Sequence, residues 1–217
     1  MVGGGAYAGL IPCQRHRFDI PEDVAYLNCA YMSALMDRVV EAGQAGAKRK
    51  AKPWTIAPED FFTEADRARE LFAGLIGAQG RDIALVPAAS YGIATAAQNL
   101  RVRAGQRLVV LAEQFPSNVY AWRALAARTG AALATVPRPV DDDWTRAVLE
   151  ALDERTAIVA LAHVHWTDGA LIDLEAVGAR ARAVGAALVV DATQSLGALP
   201  FDVRRIRPDF MVAATYK

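Results

Sequence analysis

The sequence predicts an α/β fold with a mostly parallel sheet covered by helices on both faces. Three observations lead there. Short apolar runs recur from residue 83 to residue 214, helix-length segments separate them, and the runs are nearly continuous in apolar character rather than alternating. Strands that are apolar on both sides must be buried on both sides, and parallel strands joined through helices achieve this. No internal repeat or low-complexity segment interrupts the pattern.

Residues 1–36 lack periodicity and carry the turn formers Pro12, Pro21 and Asn28. They read as an extended arm with a short strand over 24–27. A helix is expected over Asp37–Lys50, basic at its C-terminal end and stopped by Pro53. Thr63-Glu64-Ala65-Asp66 has the spacing of a capping box and is expected to open a helix ending near Gly77. Strands are then expected over 83–86, 108–112, 132–136, 157–162, 187–190 and 210–214, with helices over 91–100, 118–128, 145–152 and 174–184.

Composition narrows the classes. With 53% hydrophobic and 22% charged residues the chain is globular and soluble rather than disordered. Its formal net charge of zero argues against a nucleic-acid partner and against a membrane surface. The longest apolar runs are far too short for a membrane span. Met1 to Gly9 shows no basic segment leading into a long apolar one, so no signal peptide is expected. The glycines Gly3, Gly4, Gly5 and Gly9 follow no strand and make no dinucleotide fingerprint. Cys13 and Cys29 form no C-x-x-C pair and no disulfide framework, and a reducing, cytoplasmic location is expected.

The chemistry gathers at strand ends, where open α/β sheets bind ligands. Ala187-Leu188-Val189-Val190 delivers Asp191, with Gln194 three residues on, and the run Asp209 to Tyr216 delivers Lys217. Ser90 follows the first expected strand and opens a helix, where free N–H groups and the helix dipole suit a phosphate. Together an acid, an amide donor and a desolvated amine suit pyridoxal phosphate (PLP): Asp191 keeps the pyridine nitrogen protonated, Gln194 donates to the ring oxygen, and Lys217 forms the Schiff base. Plainer alternatives exist for each. Asp191 alone can cap a helix or read a ribose, Ser90 can be an ordinary N-cap, and Lys217 can be a solvated tail. His163 and His165 stand at i and i+2 and would share a strand face, yet only Asp168 offers itself as a third ligand, so no metal is expected.

The D-x-x-Q … K spacing of Asp191, Gln194 and Lys217 resembles the class V aminotransferase family, which includes kynureninases, isopenicillin-N-epimerase-like proteins and cysteine desulfurases. The resemblance is strongest over 83–217. It implies the fold-type-I architecture, a three-layer α/β/α large domain on a mixed, mainly parallel seven-stranded sheet, here 61–217, with 1–60 as the N-terminal arm and part of a small domain. Lys217 would then be the catalytic residue. Ser90, Tyr91 and Tyr216 would serve the cofactor phosphate, Phe115 would stack on the pyridine ring as in the F-P-S/T-D-x-Y element of kynureninases, and Thr193 would lie against its other face. Asn28, within Tyr26-Leu27-Asn28, would contact substrate, and His165 would act on the substrate side or in hydrogen bonding. The resemblance also implies an amino acid substrate and a homodimer.

Departures narrow the branch. Desulfurases place histidines where Phe115 and Tyr216 stand, and kynureninases have an aspartate at the position of Asn118 and a histidine at that of Gln194. Transamination is therefore the first expectation, with a PLP-dependent lyase or epimerase as the alternative. Two other classes compete: a nucleotide-binding oxidoreductase, for which G-x-G-x-x-G is missing, and an inactive fragment. Lys217 is the last residue of the sequence, and these 217 residues alone are expected to be inactive.

Overall fold

The computed structural model describes residues 11–217, so the expectations about the first glycines and the leader lie outside the described residues. The chain divides into two compact units, Met1–Phe61 with Tyr216–Lys217, and Phe62–Thr215.

In the first unit α1 spans Asp37–Lys50. The expected strand over 24–27 does not form. That stretch is held through its carbonyls instead, since the Arg15 guanidinium donates to the oxygens of Pro21 and Val24 at 2.5 and 2.9 Å. Helix α2, Asp60–Ile76, starts three residues before the expected capping box. Asp60 accepts from the Ala57 N–H at 2.8 Å, so it sets the start and leaves Thr63 inside the first turn.

The second unit is built on five strands: β1 Arg107–Leu111, β2 Ala132–Val136, β3 Thr156–Ala162, β4 Ala187–Asp191 and β5 Phe210–Val212. They pair in the order β2-β1-β3-β4-β5, and all the pairings are parallel. Five of the six expected strands form, the one over 83–86 does not, and the mainly parallel sheet expected is here parallel throughout. Residues 83–86 form no strand and pair with none of the five. The helices between are α3 Ala89–Asn99, α4 Tyr120–Thr129, α5 Trp144–Ala151, α6 Leu174–Val184 and α7 Val203–Ile206.

Side-chain alternation along the strands builds two cores. Leu108, Val110, Ile158, Ala160 and Val189 pack toward Ile93 of α3 and Trp122 and Leu125 of α4. Val109, Leu111, Val159, Leu161 and Val190 pack toward Val148 of α5 and Val177 and Ala181 of α6. This is a three-layer α/β/α arrangement. Gly92 marks where α3 comes closest to the sheet: a Cβ there would stand 2.6 Å from Val212 Cγ1.

Candidate active site

The order in which strands are added across the sheet reverses between β1 and β3. From β1 the chain passes through α4 to β2 on one side, then through α5 to β3 on the other. The crevice beyond the carboxyl ends of the strands at such a reversal is where open α/β sheets hold ligands. Gln114 fills its floor. The buried amide donates from Nε2 to the carbonyls of Asn118 at 2.9 Å and Ala160 at 3.2 Å, while its Oε1 accepts from the Ala162 N–H at 3.0 Å. One side chain thereby ties the loop after β1 to the end of β3. It also aims the next residue, Phe115, whose ring is left 42% exposed.

The other rim residues follow from their elements. Asp191 ends β4 and is 7% exposed, with Oδ1 accepting from the Thr193 N–H at 3.0 Å. Thr193 Oγ1 accepts from the Ala214 N–H at 3.0 Å, fastening this turn to the segment after β5. The turn also carries Gln194, half-buried. Below it, burial pushes the His163 imidazole below its usual pKa, so the ring is neutral near pH 7. His163 Nδ1 lies 2.9 Å from Ser195 Oγ, which lies 3.2 Å from the Ala192 carbonyl. With the imidazole proton on Nδ1, His163 donates to Ser195 and Ser195 donates to Ala192, which satisfies all three groups.

Ser90 is not an N-cap. That position belongs to Ala88, which has no side chain to offer, so the N-terminus of α3 is left without a side-chain cap and Ser90 stands exposed in its first turn. Tyr91 is 57% exposed. Helix α3 packs against the Pro116–Asn118 turn, β4 and β5, so its open end stands at the rim that bears Phe115 and Asp191. Asn118 is fully buried. Its Oδ1 accepts from Trp122 Nε1 at 3.0 Å, whereas its Nδ2 has no partner in the protein. A buried donor left unmet costs on the order of 1–3 kcal/mol. An uncapped helix end, an unmet buried donor, a buried carboxylate and an exposed aromatic face fit a flat, anionic, nitrogen-containing cofactor.

Of the two roles expected for His165, the structure shows hydrogen bonding. His165 is 0% exposed and stacked on Trp144 at 4.8 Å, with Nε2 3.0 Å from the Ala112 carbonyl and Nδ1 2.9 Å from Thr167 Oγ1. Both ring nitrogens are engaged inside the fold, so it presents nothing to a substrate. Among the described residues no group of three or more His, Cys, Asp or Glu gathers to hold a metal ion. Asn28, Tyr216 and Lys217 belong to the first unit. The Asn28 carbonyl accepts from the N–H groups of Tyr31 and Met32 at 3.1 and 3.2 Å. Ser33 Oγ donates to the Lys217 carbonyl at 2.8 Å, and Lys217 Nζ stands 5.7 Å from the Tyr216 ring centroid.

Sequence reasoning passed over Gln114, Arg138 and Trp166. Arg138 donates to Glu113 Oε2 at 2.6 Å, to Thr167 Oγ1 at 2.7 Å and to Asp168. Its one signal in the sequence is its place two residues past β2, between Pro137 and Pro139.

These features define an open, doubly wound α/β protein with a candidate ligand site at its strand reversal. The chain belongs to the aminotransferase class-V family, a PLP-dependent family whose profile matches residues 33–217. It is 30% identical over 161 residues to an uncharacterized aminotransferase of Bacillus subtilis (strain 168), covering 73% of this chain and 42% of that protein. It is 27% identical over 216 residues to a kynureninase of Pseudomonas fluorescens, covering 94% of this chain and 50% of the relative. The chain thus spans half or less of the length of these curated relatives. In fold it is similar to a C-DES mutant with glycine covalently linked to its PLP cofactor, at a TM-score of 0.84 and 20% identity over 94% of this chain and 56% of that one. No helix among the described residues is long and apolar enough to cross a membrane.

Proposed function

We propose that this chain forms the PLP-binding part of an enzyme acting on an amino acid, with transamination as the reaction. The observation that carries this reading is Asp191: a carboxylate 7% exposed at the end of a central strand, on the rim where α3 opens and Phe115 shows a ring face. When bound, PLP supplies a protonated pyridine ring that takes up negative charge from a substrate's α-carbon. Asp191 keeps the proton on the ring nitrogen, and its burial strengthens that charge pairing. Phe115 fixes the ring plane by stacking, worth about 1 kcal/mol. The uncapped α3, with Ser90 and Tyr91 in its first turn, and Tyr216 hold the phosphate. Gln194 donates to the ring oxygen, and Thr193 braces the opposite face. Lys217 carries the cofactor covalently and moves the substrate's α-proton as a general base. Asn28 remains the proposed substrate contact.

Elimination, as in a lyase, is the second reading, favoured by the match to a kynureninase along 94% of the chain. The family's amino acid chemistry supports a small-molecule substrate and a homodimer, and the two exposed free thiols, Cys13 and Cys29, suit a reducing cytoplasm.

The test uses the full-length protein loaded with PLP. Borohydride reduction followed by peptide mapping should place the cofactor on Lys217, and Lys217→Ala should lose the reducible adduct. Transamination is then read as one 2-oxo acid formed per 2-oxo acid consumed, whereas elimination releases product without an acceptor. A label found on another lysine refutes the assignment.

A further inference from the structure

An arginine at the rim of an amino acid enzyme invites assignment as the substrate-carboxylate binder. The surroundings of Arg138 exclude that role. Its guanidinium already serves Glu113, Thr167 and Asp168, and its carbon lies 5.8 Å from the Trp144 ring centroid. Two carboxylates against one cation leave the cluster net negative, which repels a substrate carboxylate.

What the cluster restrains is backbone. Glu113 is a non-glycine residue in the left-handed region, with φ at 55°. Such a conformation is strained for a residue with a Cβ and persists only where its surroundings over-determine it. Here two groups do so. Arg138 holds the Glu113 carboxylate, and Trp166 Nε1 donates to the Glu113 carbonyl at 2.6 Å. The same Trp166 meets Phe115 edge-to-face, with centroids 5.4 Å apart and planes at 88°. Arg138 further holds Thr167 and Asp168, the two residues after Trp166, so the fork joins both loops that carry the aromatic pair.

We infer that Arg138 is a positioning residue: it locks the strained Glu113 turn and the Trp166 loop together, so that the partly exposed Phe115 is held edge-to-face against Trp166. This rests on the proposed PLP site. A planar fork reaching three acceptors on two loops does what a lysine ammonium does less well.

The test is a double-mutant cycle in the full-length protein, titrated with PLP and followed by its induced circular dichroism. Arg138→Ala and Phe115→Leu should each raise the dissociation constant about 3- to 10-fold, the worth of one stacking contact. The double variant should be no worse than the weaker-binding single, because both changes remove the same ring placement. Arg138→Gln, which keeps a neutral donor and more side-chain bulk, should fall between and serves if Arg138→Ala fails to fold. Separately, without PLP, acrylamide quenching of the Trp166 emission (taken as the difference from Trp166→Phe) should rise in either Arg138 variant. Unchanged quenching, unchanged PLP affinity, or losses that add in full each overturn the inference. If the wild type binds no PLP, the proposed function falls, and the quenching arm alone decides whether Arg138 holds the pair.

Discussion

Gly92→Ala tests whether the placement of α3 sets the anion site. A Cβ at Gly92 would stand 2.6 Å from Val212 Cγ1. Ordinary carbon contacts lie near 3.5–4.0 Å, so helix and strand must part by about 1 Å. Val212 cannot turn aside cheaply, because it is β-branched, buried, and paired in β5 against Asp191 of β4. Overpacking of this kind costs about 1–3 kcal/mol, against which alanine returns up to about 1 kcal/mol of helix propensity. Gly74 in α2 supplies the control, since a Cβ there meets nothing within 4 Å and only the propensity gain remains. Gly92→Ala should therefore leave Tm unchanged or lower it by several degrees, at about 2–4 °C per kcal/mol for a chain of this size, while Gly74→Ala raises it. Because the added methyl displaces the helix that carries Ser90, PLP affinity should fall in Gly92→Ala and hold in Gly74→Ala. Thermal unfolding and cofactor titration read the two effects separately. A Gly92→Ala protein as stable as Gly74→Ala, or binding PLP like wild type, would refute the reasoning.

Two further outcomes are expected. Asp191→Asn keeps the size and the turn contact with Thr193 but removes the charge, so α-proton exchange, followed by deuterium incorporation with NMR detection, should fall by about 10²–10⁴ while PLP remains bound; near-wild-type exchange would detach Asp191 from the pyridine nitrogen. For His163, burial lowers the folded pKa below the ordinary 6.5, so the unfolded state binds more protons and stability is lost as pH falls below about 6.5. That loss has a slope of at most ~1.4 kcal/mol per pH unit for one proton, and denaturant unfolding from pH 7.5 to 5 should show it weakened in His163→Asn.

Much of this was legible in the sequence. Helices α1 and α6 fall where periodicity put them, with Gly185 in the left-handed region closing α6, and β2 occupies the expected residues. Asp191 was legible because a long apolar run ends on it. Residues 83–86 misled because an apolar run is a strand only when it pairs with a neighbour, and pairing is settled by long-range packing that the run itself does not encode. His163 and His165 would share a face only on a strand reaching both, and β3 ends at Ala162, where the expected strand also ends. Beyond that point the two imidazoles part, one to Ser195 and the other to the Ala112 carbonyl. Gln114 and Arg138 were invisible because each works by joining segments some 25 to 48 residues apart.

Helix capping separates the two faces of the sheet in a way that bears on the site. On one face α5, α6 and α7 are each N-capped by an aspartate, Asp143, Asp173 and Asp202, whose carboxylates accept from first-turn N–H groups. On the other face α3 and α4 begin at Ala88 and Val119, and neither has a side-chain cap. An aspartate cap is worth about 1 kcal/mol to a helix, so its omission gives up stability. It also leaves the positive end of the dipole and the free N–H groups unspent. A carboxylate at position 88 would consume those donors and repel a phosphate. Alanine does neither, and of the two open helices α3 is the one that packs against β4, the strand ending at Asp191. Both open helices, α3 and α4, thus lie on one face of the sheet and the three aspartate-capped ones on the other, and under the proposed function the end of α3 is the one free to take an anion.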